Sequence, residues 1–189
     1  CTTLPTITGQ SSGRAVEVAQ YDGQGRPTKI NAIAADGTIR DSVRFYDELG
    51  RLTRAVGPTV SVADTSRPVR CIVYTPLGNI AEIWAGSTTD TTSPTCTLDG
   101  VNVKKQLSAT YDDFGRKLTQ TDQLGKTWKW TWNVHGELVS SQTPVQALNG
   151  QTTTYADGAK GGSGETQGQL KSRTVPGAQT ARYTRNALG

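Results

Sequence analysis

The feature that most constrains this chain is a recurring Tyr-Asp-x-x-Gly-Arg unit. Tyr21-Asp22-Gly23-Gln24-Gly25-Arg26 is followed by Tyr46-Asp47-Glu48-Leu49-Gly50-Arg51, by the weaker Tyr74-Thr75-Pro76-Leu77-Gly78-Asn79, and by Tyr111-Asp112-Asp113-Phe114-Gly115-Arg116. The spacings from Tyr to Tyr are 25, 28 and 37 residues. The pattern is densest after Tyr111. There Asp122-Gln123-Leu124-Gly125-Lys126 and then Trp132-Asn133-Val134-His135-Gly136-Glu137 complete a unit of 21 residues with two turn signals. A recurring unit of this size marks a repeat architecture. In Asp-x-x-Gly the carboxylate can accept from backbone N–H groups two residues on, and the glycine can take a left-handed conformation that strains other residues. Each unit is therefore predicted to close a β-hairpin.

A lone two-stranded hairpin is marginal in water, so each must lean on its neighbours. Stacked side by side, the hairpins give a continuous antiparallel sheet. Its aromatic and aliphatic positions are expected on one face, and its Arg, Lys and Thr positions on the other. Composition agrees, because 29 of the 189 residues are Thr, a β-branched residue that suits strands, while Leu, Ala and Glu are too sparse for long amphipathic helices. The expected fold class is all-β, made of stacked antiparallel hairpins. Residues 15–141 read as the repeat segment, with a polar insertion loop at about 86–97. Residues 1–14 are a lead-in of unclear assignment, 142–180 diverge and carry a Gly-rich loop at 158–168, and 181–189 start a further repeat. Open edges at both ends, together with a start at Cys1 and a finish in mid-unit at Gly189, suggest a fragment of a larger protein.

The net charge is +4, spread along the chain and not gathered into a basic stripe, which argues against nucleic acid as the main partner. No run of eighteen apolar residues is present, so no helical membrane span is expected.

These units resemble the YD-repeat of the Rhs family. Its signature, Tyr-Asp-x-x-Gly-Arg-Leu-Thr with a second Asp-x-x-Gly about ten positions later, is reproduced in its first half by Tyr46 to Thr53. Both halves are matched between Tyr111 and Trp132, with Lys117 inserted before Leu118-Thr119. The resemblance implies a strip of hairpins that spirals into a hollow shell, as in bacterial Rhs proteins, the B and C components of Tc toxins and the animal teneurins. It further implies a non-catalytic role, in which the wall encloses and shields a C-terminal toxin before delivery, often through a type VI secretion apparatus. The implied partners are the rest of the shell polypeptide, the enclosed cargo and secretion proteins, and the implied location is secreted or at a bacterial surface. The self-cleaving Asp-Pro-x-Gly-Leu motif of the family has no match here.

Enzymatic constellations are not found in the sequence, and no cofactor or metal is expected. His135 is the single histidine and falls at a turn, so His-based triads and metal clusters lack a second member. Gly125-Lys126-Thr127 resembles the tail of a phosphate-binding loop, but Gln120 stands where that loop needs glycine. Asp112 and Asp113 are adjacent carboxylates, yet neighbouring turn residues point different ways, and Asp112 already has a turn to close.

Trp128-Lys129-Trp130-Thr131-Trp132 alternates strictly, which on a strand puts three indoles on one face. That face can be packed interior, with Trp132 replacing the repeat Tyr. It can also be a contact for cargo or sugar, which supports an alternative role as a cell-surface adhesion or carbohydrate-binding module. Of Cys1, Cys71 and Cys96, the last two could cross-link across the insertion in an oxidising compartment, but a buried free thiol is the favoured expectation.

Overall fold

The computed structural model describes residues 15–33, 38–59, 65–97, 102–157 and 170–183. The lead-in 1–14, the Gly-rich stretch 158–168 and residues 184–189 lie outside the described residues. The chain divides into two compact units, Cys1–Gln106 and Leu107–Gly189.

The first unit contains β1 (Ala15–Tyr21), β2 (Pro27–Ile33), β3 (Ile39–Tyr46), β4 (Leu52–Val56), β5 (Arg67–Tyr74), β6 (Ile80–Thr88) and the start of β7 (Val103–Tyr111). The second contains the rest of β7, then β8 (Lys117–Asp122), β9 (Thr127–Trp132), β10 (Leu138–Gln142), the short helix α1 (Pro144–Leu148), β11 (Thr153–Asp157), β12 (Leu170–Thr174) and β13 (Ala181–Arg182). In each unit the strands are hydrogen-bonded in chain order, and the pairings are antiparallel. The all-β fold of antiparallel hairpins expected from the repeat is the fold observed.

Register builds the core of the first unit. Val43 pairs with Val56, Val56 with Val69, and Val69 with Gly86, while the next row on the same face runs Phe45, Arg54, Cys71, Trp84. Val56, Val69, Cys71 and Val103 are buried, with Val43, Phe45, Trp84 and Cys96 packed against them. Gly86 is required there, because a side-chain carbon at that position would collide with the carbonyl of Asn102. The expected loop at 86–97 therefore begins as strand: β6 continues to Thr88, and the irregular part is confined to residues 89–97.

In the second unit threonine hydroxyls face each other across strands, Thr110 to Thr119 at 2.6 Å, Thr121 to Thr127 at 2.9 Å and Thr174 to Thr180 at 3.0 Å. These cross-strand pairs give the Thr-rich composition a structural use.

Candidate functional site

Each repeat turn is built the same way. The Asp22 N–H donates to the Arg26 carbonyl at 2.9 Å, and the Gly25 N–H returns to the Asp22 carbonyl at 3.0 Å. The same two bonds close the turns at Asp47, Thr75, Asp112, Asp122 and Asn133. Gly25, Gly50, Gly78, Gly115, Gly125 and Gly136 all have φ between 76° and 87°, the left-handed region that favours glycine. Register shifts precede Tyr21, Tyr46, Tyr74 and Tyr111, so a bulge sits beside each of these turns.

The Asp side chain holds both ends of its turn. Asp47 Oδ1 accepts from the N–H groups of Leu49 and Arg51, and Oδ2 accepts from Arg51 Nε at 2.7 Å. Asp22 does the same with Gln24 and Arg26, and Asp112 with Phe114 and Arg116. The Arg26 backbone N–H, opposed by burial, holds the Asp22 carboxyl below its ordinary 3.8. Burial pushes Asp47 and Asp112 up, but the N–H and guanidinium of Arg51 and Arg116 outweigh it, so both also lie low.

The weaker turns keep the geometry with other atoms. Thr75 Oγ1 accepts from the Asn79 N–H, and Asn133 Oδ1 accepts from the His135 and Glu137 N–H groups. The Asp–Arg pair there becomes Asn133 Nδ2 donating to the Glu137 carboxylate at 2.5 Å. Asp122 holds Leu124 and Lys126 in the same manner.

The motif Arg then reaches the next hairpin. The Arg26 guanidinium lies 4.7 Å from the Tyr46 ring centre, Arg51 lies 4.5 Å from that of Tyr74, and Arg116 lies 5.9 Å from that of Trp132. Arg26 Nη1 also donates to the Asp47 carbonyl at 3.3 Å, and Arg116 Nη1 to the Asn133 carbonyl at 2.9 Å. In return the Tyr46 hydroxyl donates to the Pro27 carbonyl and the Tyr74 hydroxyl to the Leu52 carbonyl, each at 3.0 Å. Trp132 donates its Nε1–H to the Lys117 carbonyl at 2.9 Å, the same place in its own repeat.

Ring, guanidinium and carbonyl thus form a clamp between successive hairpins. This corrects the expected division of faces, because the motif Arg does not oppose the Tyr face but stacks upon it. The side chain is long enough to cross one strand spacing, which alternation alone does not reveal.

Tyr21 ends β1 and is exposed, while Tyr111 is half-buried and its phenol is pushed up by burial. On β9, Trp128, Trp130 and Trp132 are half-buried, whereas Lys129 and Thr131 are exposed. Lys117 Nζ stands 6.0 Å from the Trp130 ring centre. His135 is exposed in its turn. Among the described residues no group of three or more His, Cys, Asp or Glu is placed to hold a metal ion, and no helix is long and apolar enough to cross a membrane.

The insertion is a second site, one that its polar sequence conceals. Cys71 and Cys96 form a disulfide, with Cα atoms 6.2 Å apart across 25 residues, which overturns the expectation of a free thiol. Beside it Arg54, 3% exposed, donates to the carbonyls of Ser93 and Asp90 and lies 5.4 Å from the Phe45 ring centre. The polar stretch is thus tied to the sheet by a buried cation and a covalent bond. A half-open cavity of about 380 Å³ lies between this loop and the sheet, lined in part by Arg54, Val69, Thr88, Asp90 and Val103.

No protein-family model and no curated protein matches the chain. Solved structures do. The crystal structure of TcdB2-TccC3 without its hypervariable C-terminal region matches with a TM-score of 0.53 at 12% identity, over 87% of this chain. The pore form of the Photorhabdus luminescens Tc holotoxin, with a substitution in TccC3, also matches with a TM-score of 0.53, at 14% identity over 87% of this chain. The shared property is the fold. This chain spans only 8% of the length of either matched chain.

Proposed function

We infer that this chain is a length of wall in an Rhs-like β-shell, and that the wall encloses and shields a polypeptide cargo, a bacterial toxin in the reading the Tc likeness favours. The observation that carries this is the clamp repeated from hairpin to hairpin. It joins neighbours into a barrier through backbone carbonyls and motif side chains. The mechanism is steric exclusion, with no catalytic step and no cofactor.

The partners are the remainder of the shell polypeptide and its cargo, with a secretion apparatus for delivery. The Cys71–Cys96 disulfide supports a secreted or surface location, since such bonds persist in oxidising compartments.

The test uses the natural polypeptide that carries this segment. Cargo inside intact particles is expected to survive trypsin, and particles lacking residues 15–157 are expected to lose it. Equal digestion in both would contradict the proposal. If equal digestion came with glycan binding that Trp130→Ala abolishes, the adhesion-module reading would replace it.

A further inference from the structure

The two faces of the first unit differ in how their charges are balanced. On the face that holds Val56 and Cys71, cations are neutralised: Lys29 and Arg67 bridge to Asp41 at 3.3 and 3.2 Å, and Lys105 pairs with Glu82 at 2.5 Å. Alternation along the strands puts Arg40, Arg44, Arg70 and Lys104 on the other face. Neither Asp41 nor Glu82 shares that face, because they align with Val43 and Trp84. None of the four cations has an ion-pair partner among the described residues.

Register sharpens this into a row. Arg44 pairs with Ala55, Ala55 with Arg70, and Arg70 with Ala85. The Ser87 N–H donates to the Asn102 carbonyl at 3.0 Å, and Lys105 lies 4.9 Å from the Trp84 ring centre, so Lys104 is next in line beside Ala85. The order across five strands is Arg, Ala, Arg, Ala, Lys. With strands about 4.8 Å apart, the cations recur roughly every 10 Å, and the alanines between them leave the way clear. The next row on that face contains Ile72 and Ile83, which pair with each other. The insertion 89–97 is held to the opposite face by Arg54 and the disulfide, so it does not cover this one.

We propose that this row is a docking surface for an acidic polypeptide segment, extended across the strands with a carboxylate at about every third residue. In a polyproline II conformation three residues make one turn of roughly 9 Å, so every third side chain faces the sheet at close to the spacing of the cations. The isoleucines beside the row suit apolar side chains of the same segment. Single-stranded nucleic acid fits less well, because no aromatic ring stands between the cations to stack on a base. The inference deepens the enclosure reading, and only the identification of the segment as enclosed cargo rests on that reading. Peptide binding by the isolated chain does not depend on enclosure, so the two can fail separately.

The test is fluorescence anisotropy on the 189-residue chain with a labelled peptide carrying Glu at every third position, in low salt. The chain with Arg44→Ser, Arg70→Ser and Lys104→Ser is expected to bind at least about tenfold more weakly. A control with Lys126→Ser, Lys129→Ser and Arg173→Ser, which removes equal charge from the second unit, is expected to bind like the native chain. If the serine variant loses its β circular dichroism, the variant with Arg44→Lys and Arg70→Lys replaces it and is expected to keep the affinity. The proposal is overturned if the native chain does not bind, if the control loses as much as the row variant, if the lysine variant loses binding while folded, or if a labelled oligothymidylate of equal charge binds more tightly than the peptide.

Discussion

At the scale of single residues, the motif Gly, Asp and Arg each hold one part of the turn or clamp, and each has its own signature when altered. Gly50 has φ of 82°, and a side-chain carbon there would lie 3.1 Å from Arg26 Nη1. Gly50→Ala is expected to cost about 1–2 kcal/mol in urea unfolding, from the left-handed backbone alone. Trp132→Phe keeps the ring beneath Arg116 and removes the donor to the Lys117 carbonyl. A loss of about 1 kcal/mol is expected, and no loss would show that the indole N–H contributes nothing to the clamp.

The carboxylates set the acid limit of stability. Asp22, Asp47 and Asp112 all lie below the ordinary 3.8 when folded, so the fold favours their ionised form. The resulting stability is complete above about pH 4 and is lost as pH falls through the lowered values. The urea midpoint is expected to hold steady near neutrality and to drop as pH falls below about 4, less steeply in Asp47→Asn; an equal drop in that variant would show that Asp47 plays no part in the acid limit.

At the scale of elements, the disulfide is the main staple of the first unit. Closing a span of 25 residues is expected to contribute about 3.5 kcal/mol, read as the shift in urea unfolding between oxidised chain and Cys71→Ser/Cys96→Ser. An unshifted midpoint would mean that Arg54 alone anchors the insertion. The turns are legible in the sequence because Asp-x-x-Gly specifies both the acceptor and the positive φ on its own. The disulfide is legible only as one possible pairing, since Cys96 is carried to Cys71 by the irregular loop 89–97 that Arg54 holds against the sheet, which the polar composition of the insertion conceals.

Helix α1 escapes a reading by periodicity although its end signals are present. Thr143 accepts from the Gln146 N–H, Gln146 reaches back to the Thr143 N–H, and Pro144 opens the helix. Five residues give too short an apolar pattern to register as a helical period. The Arg–ring stacking is hidden for a related reason: periodicity assigns a face, but a long side chain can leave it.

At the scale of the molecule, the hairpins depend on one another. Among the described residues few hydrophobics are buried: Val56, Val69, Cys71, Val103 and Ala109. Stability must then come from the sheet and from the clamps between neighbours more than from a central core. A sheet built in this way can be lengthened by further hairpins, which suits the wall proposed above.

Hydrogen exchange of Arg51→Ala followed by mass spectrometry tests this dependence between neighbours. Arg51 closes its own turn on Asp47 and lies over Tyr74 of the next hairpin. If the clamp couples them, exchange becomes faster in both hairpins, Ile39–Val56 and Arg67–Thr88. Faster exchange confined to the turn at 47–51, with the following hairpin protected as before, would contradict that coupling.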